Sequence, residues 1–176
     1  MTDAANVPVD EGGRIAAPHE LEALAAQIDE WLEAMDGDNP VFGWVERPSP
    51  RNWIVRLHGD TKDVIALWLT LGQRSLRFES QVIPAPEEAT HRVHEYLLRR
   101  NANLYGMGFA VGEEDGLYLM GNVPLSFLDR AVLDRIVGSV WQYTEDVFRP
   151  LLHMGFARRM APALHAAGER DAPGNG

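Results

Sequence analysis

Residues Val64 to Leu71 set the tightest limit on what this chain can fold into. Val64, Ala66 and Trp68 alternate with Ile65, Leu67, Leu69 and Leu71, so both faces of an extended segment here are apolar. The run lies between turn residues, Gly59-Asp60 before it and Gly72 after it, and has the length of a strand. An antiparallel strand with one wet face alternates apolar with polar residues. This one does not, so two covers have to be found. Either the strand is central and the chain itself covers both sides, or its second face meets another chain. Trp and Met are enriched at interfaces, and Tyr118 and Met120 can extend the same patch from a later strand. The candidate partner-binding residues are therefore Trp68, Val64, Tyr118 and Met120.

The flanking segments read as companions of that strand. Asn52 to His58 alternates Trp53, Val55 and Leu57 against Ile54, Arg56 and His58, and Leu76 to Ile83 alternates Leu76, Phe78 and Val82 against Arg77, Glu79 and Gln81. With tight turns between them, the three strands make an antiparallel meander. Val41 to Glu46 offers a further short strand ahead of Pro48 and Pro50. A helix is expected over Pro18–Met35, with Leu21, Leu24, Ile28, Leu32 and Met35 on one stripe and Gly37 as its stop. A second helix is expected from Glu87 to about Asn103, after Pro84 and Pro86 break the meander.

Tyr105–Val111 and Leu117–Val123 then form a hairpin around Gly112–Gly116. Gly106, Gly108 and Ala110 leave one side of it nearly bare, which predicts a close neighbour there. Ser126 is read as the cap of a third helix, with Asp129 three residues on, and Pro150 as its kink or end. The fold class that results is α+β: an antiparallel sheet of about five strands with three helices, in the order α-β-β-β-α-β-β-α. Residues 1–17 and 157–176 read as disordered tails around one domain at 18–156.

Charge and composition narrow the function classes. The net charge of −10 argues against a phosphate-backbone partner and against anionic membrane surfaces. There is no cysteine, which removes disulfides, thiolate nucleophiles and cysteine-based metal centres together. No apolar run approaches the roughly 18 residues of a spanning helix, and Met1–Arg14 lacks an apolar signal-peptide core, so the expected location is the cytoplasm. Lys62 is the only lysine; arginine supplies the rest of the basic charge, as the codon bias of a GC-rich genome would produce.

Each motif that hints at chemistry has a plainer explanation. His91 and His94 are three apart with Glu95 beside them, whereas a zincin helix needs two histidines four apart. Asp36-Gly37-Asp38 begins like a calcium loop, but positions six and twelve are Val41 and Arg47. Gly106-Met107-Gly108 sits inside a strand, with Val111 where the third glycine of a dinucleotide loop belongs. Gly138-Ser139 lies mid-helix, and His58, Asp60 and Asp63 belong to a turn. Glu113-Glu114-Asp115 is a hairpin tip. Trp31, Trp53 and Trp141 sit on or beside core stripes, and Trp44 precedes a proline-rich turn.

One ordered set of short motifs carries a family resemblance. Val82-Ile83-Pro84, Leu97-Leu98-Arg99-Arg100-Asn101, Leu104-Tyr105-Gly106, Phe109, the turn at Asp115-Gly116, Tyr118-Leu119, Val123-Pro124-Leu125 and Leu133-Asp134-Arg135 resemble the YbjN family over about residues 20–156. The resemblance implies a bacterial, actinobacterial source and the fold of type III secretion chaperones, small α+β proteins that bind other polypeptides. It brings no catalytic residue, cofactor or metal. The expectation is a non-enzymatic protein-binding module whose partner is a protein client or a second copy of itself, with a small-molecule-responsive or sensory-transduction regulator as the alternative.

Overall fold

The computed structural model describes residues 14–160. The expected tails fall mostly outside that range. Within it, the Ala16 amide already donates to the Gln73 carbonyl, 2.9 Å away, and residues 157–160 are helical.

Helix α1, Pro18–Asp38, begins with proline in its first turn, where a missing N–H costs nothing, and Glu20 folds back to accept from the Ala17 amide at 2.7 Å. It runs through Gly37, one residue past it, rather than stopping there. Four strands follow as a meander: β1 Phe42–Ser49, β2 Asn52–His58, β3 Val64–Leu71 and β4 Ser75–Ile83. Helix α2 covers Thr90–Asn101. Strands β5, Met107–Val111, and β6, Leu117–Pro124, form the hairpin, and α3 spans Arg130–Gly155. The cap of α3 is Asp129, not Ser126: its carboxylate accepts from the Val132 amide at 2.8 Å, and Ser126 lies in a single 3-10 turn upstream. Pro150 sits inside α3, which continues to Gly155.

The sheet order is β1-β2-β3-β4-β6-β5, antiparallel throughout. The meander thus has four strands and the sheet six. All three helices pack on one face. α3 lies over β3 and β4, α1 over β1, and α2 over β5, with α1 and α2 each resting on α3. Trp53, Val55 and Leu57 of β2, Ile65, Leu67, Leu69 and Leu71 of β3, and Leu76 and Phe78 of β4 are buried beneath them. Two polar ties fix the layers. Asp29 on α1 accepts from Trp53 Nε1 at 2.7 Å and pairs with Arg47, whose guanidinium stacks 5.3 Å from the Trp53 ring.

At the other end of the sheet, Glu145 on α3 reaches the β2–β3 turn. Its carboxylate takes the Thr61 amide and hydroxyl, each at 2.7 Å, and the Lys62 amide at 3.2 Å. Only glycine fits at position 59, because a Cβ there would lie 2.4 Å from the Glu145 carboxylate and 2.3 Å from the Lys62 carbonyl. Lys62 extends the latch. Its ammonium donates to the Gln81 and Val82 carbonyls, where β4 carries an extra residue in its pairing with β6, and it sits 5.7 Å from the Phe148 ring.

Burial pushes the Lys62 ammonium down to about 8, with the negative charge of Glu145 opposing the drop. A neutral amine keeps two N–H donors, enough for the two carbonyls. The folded chain therefore releases this proton before the unfolded chain does. Between about pH 8 and about pH 10.5 the unfolded state binds more protons, so stability from this group rises with pH. Measured by urea unfolding, wild type is expected to gain on the order of 2 kcal/mol over that window relative to Lys62→Met. A difference that stays flat with pH would show that the amine is solvated.

Candidate partner-binding face

The opposite sheet face is not covered by any helix among the described residues. Strand register shows what it presents. One row of directly paired residues crosses the whole sheet: Glu46, Ile54, Trp68, Glu79, Met120 and Gly108. The next row carries Trp44, Arg56 and Ala66, with Gln81, Tyr118 and Ala110 completing it beyond β3. Val64 pairs with His58 at the margin.

All four residues singled out from sequence lie on this face, in two lobes. Trp68 and Val64 belong to β3. Tyr118 and Met120 belong to β6, two strands away and separated from them by Glu79 and Gln81 of β4. The first lobe is the more apolar. Trp68 is 45 % exposed and Val64 38 %, so the described chain does not cover β3 twice. Between them and Trp44, itself 48 % exposed, Ile54 is buried to 5 % although it is not part of the helix-covered core. Its neighbours on this face shield it, which makes Ile54 the floor of an aromatic patch.

Trp44 and Ile54 were missed as members of this face. In a regular strand Trp44 would share a face with the buried Phe42. A bulge intervenes: Phe42 pairs with Leu57, but Trp44 pairs with the very next residue, Arg56. The extra residue is Gly43, where a Cβ would come within 2.8 Å of the Arg56 carbonyl. The glycine was the signal available in the sequence.

The charged strand residues of the face pair with one another. Glu46 accepts from Trp44 Nε1 at 3.2 Å and from Arg56 Nε at 3.1 Å, and Arg77 pairs with Glu79 at 2.6 Å. The ring of Tyr118 lies against the hairpin turn, so close that a Cβ at Gly112 would be 2.5 Å from it. Partial burial, together with Glu113, Glu79 and Glu114, pushes the Tyr118 phenol up. The close neighbour expected on the bare side of β5 is small: at Gly106 nothing lies within reach of a Cβ, and at Gly108 there is only the Asn101 amide, 3.5 Å away.

That amide has a task of its own. Strand β5 is an edge of the sheet, and Phe109 points its N–H and C=O outward. The Asn101 side chain, from the last residue of α2, takes both: Phe109 N–H donates to Oδ1 at 2.7 Å, and Nδ2 donates to the Phe109 carbonyl at 3.0 Å. One side-chain amide replaces the peptide group of an absent neighbouring strand and blunts the edge. Outside it runs a small groove of about 160 Å³ lined by His94, Leu97, Leu98, Val111 and Leu117. Its walls include Leu98, 68 % exposed.

On α2 His91 is exposed while His94 is half-buried and lines that groove, and among the described residues no group of three or more His, Cys, Asp or Glu is placed to hold a metal ion. No helix among them is long and apolar enough to cross a membrane.

Comparison with known proteins matches this architecture. The family model described as "Putative bacterial sensory transduction regulator" matches residues 22–153. An uncharacterized protein of Mycobacterium tuberculosis is 36 % identical over 108 residues, covering 61 % of this chain and 59 % of the relative. One of Mycobacterium leprae is 30 % identical over 103 residues, covering 58 % and 56 %. The chain thus matches less than two thirds of the length of these relatives. Among solved structures, a chain of the HopA1-SchA chaperone-effector complex superposes with a TM-score of 0.55 at 12 % identity, over 76 % of this chain and 98 % of that one. A chain of the ExsC-ExsE complex gives 0.51 at 14 %, over 73 % and 96 %. At such identities the likeness is one of fold, and it is the chaperone-like α+β fold that the sequence resemblance implied.

Replacing Asn101 with Ala should leave the two outward groups of Phe109 unpaired. The expected loss is about 1–3 kcal/mol in urea unfolding, with new concentration-dependent association through the opened edge, seen by light scattering. Unchanged stability and association would mean that the edge needs no plug.

Proposed function

The chain belongs to the YbjN family, and from that premise we propose that it is a non-enzymatic polypeptide-binding module whose binding surface is the helix-free face of its sheet. One observation carries the proposal: Trp44, Trp68 and Val64 share one sheet face, each more than a third exposed, and no described helix covers that face. Large aromatic residues are costly to leave in water and are over-represented where proteins meet. The alternative polypeptide site, the β5 edge, is occupied by Asn101. A solved chain of the same fold comes from a chaperone-effector complex, which supports a polypeptide as the class of ligand.

A small-molecule-responsive regulator is the second reading. The family's description favours it. So does an open groove of about 560 Å³ between the end of α1 and the start of α3, lined by Met35, Asn39, Pro40, Arg130, Ala131 and Asp134. A ligand held there would raise the melting temperature without involving the sheet face.

A photoreactive side chain placed at position 68 or 120 tests the first reading in extracts of the source organism, with position 33 on the exposed side of α1 as control. Adducts to polypeptide are expected from 68 and 120 and not from 33. Equal labelling from all three positions, or none, would overturn the assignment of the face.

A further inference from the structure

The two margins of the sheet are closed in different ways. At the β1 margin the closure is built into the strand. Glu46, Arg47 and Pro48 follow one another there, and the bulge at Gly43 breaks the register. Charge, a missing N–H and a bulge together keep a further strand from pairing. Strand β5, at the opposite margin, has no charged residue, no proline and no bulge in its pairing with β6. Only the Asn101 carboxamide stands on it, through two hydrogen bonds to one residue, Phe109, and it comes from the last residue of a helix. Resting on the reading of the chain as a polypeptide-binding module, we propose that this plug is exchangeable and that the β5 edge receives an extended segment of the partner, whose main chain takes the place of the Asn101 side chain.

The carboxamide carries the donor and the acceptor of a peptide group, so the place it vacates is peptide-shaped. Strand alternation turns the backbone groups of Met107 and Val111 to the same side as those of Phe109. An added strand therefore meets three residues of β5 where the side chain meets one. Apolar surface points the same way. The groove of about 160 Å³ lies outside this edge, and Leu98 and Val111 in its walls are 68 % and 51 % exposed. An edge closed only against aggregation gains nothing from an apolar wall beside it. Alternate side chains of an added strand lie over the groove, and those between them lie beside Gly108 and Ala110 on the open face. The segment is thus continuous with the surface assigned above. Charge sets one end of it. Strand β5 runs straight into Glu113, Glu114 and Asp115, and among the described residues no cation pairs with these three. The partner segment that fits is extended and apolar, with lysine or arginine at the end beside the hairpin tip.

The probes are blocked peptides of alternating threonine and valine that end in two lysines, in two glutamates, or in two lysines with every other peptide nitrogen methylated. Each is titrated into the isotope-labelled full chain and followed by amide NMR. The lysine-ended peptide should shift the Phe109 and Val111 amides and the side-chain amide of Asn101, and the glutamate-ended one should bind at least about fivefold more weakly. Asn101→Ala should bind the lysine-ended peptide about tenfold more tightly, because a competitor for the edge is gone, whereas Leu98→Glu should bind it about tenfold more weakly and Trp68→Glu should leave it unchanged. Loss of binding on methylation is expected, and it decides the same point on the wild-type chain should Asn101→Ala fail to fold. Equal binding of the methylated peptide, no gain with Asn101→Ala, or no shift along β5 with any peptide would overturn the exchange. Shifts confined to Trp68 and Met120 would do the same while supporting the open face. Photocrosslinking from positions 68 and 120 stands or falls separately, so failure of the edge and failure of the open face are told apart.

Discussion

A sheet covered on one side has only alternate side chains to give to its core, and the packing of α3 against β3 and β4 makes that constraint bind. Ile65, Leu67, Leu69 and Leu71 vanish beneath the helices, and everything else in β3 is left facing the other way. The helical layer can do no more for the remaining residues, because α1, α2 and α3 all rest on the same side. Val64, Ala66 and Trp68 are thus the remainder of an arrangement that is complete without them, and their apolar character has to be explained by something other than the stability of the covered core.

The layers hold together through a few polar contacts of long sequence reach. Asp29 joins α1 to β1 and β2, and Glu145 joins α3 to the β2–β3 turn. Each carboxylate accepts from more than one donor, so each fixes an orientation as well as a distance. Around the open face the same economy holds: Glu46 and Glu79 answer Arg56 and Arg77 within the chain. The result is a surface whose ion pairs are settled within the chain and whose aromatic side chains are left exposed.

Much of this was legible in the residues. The period-two alternation of β2 and β4, the unbroken apolar run of β3 and the helical stripe of α1 gave the α+β class and most element bounds, because burial on a pleated or helical surface repeats at a fixed interval. What escaped has local causes. Trp44 was hidden by the bulge at Gly43, since alternation counted through a bulge assigns the wrong face. The cap of α3 was misplaced because Ser126 and Asp129 are both good caps and only the 3-10 turn that takes in Ser126 decides. Asn101 was unreadable as an edge plug, for nothing in a helix-ending asparagine announces the strand it will meet.

The Glu145 latch joins residues more than eighty positions apart in sequence. A ribosome delivers β1 to β4 long before it delivers α3. Until residues 130–155 emerge, β3 stands with Ile65, Leu67, Leu69 and Leu71 bare on one side and Val64, Ala66 and Trp68 bare on the other. The half-made chain is therefore greasy on both faces, whereas the finished one is greasy on one. Its most association-prone moment falls during synthesis, and the last helix is what ends it.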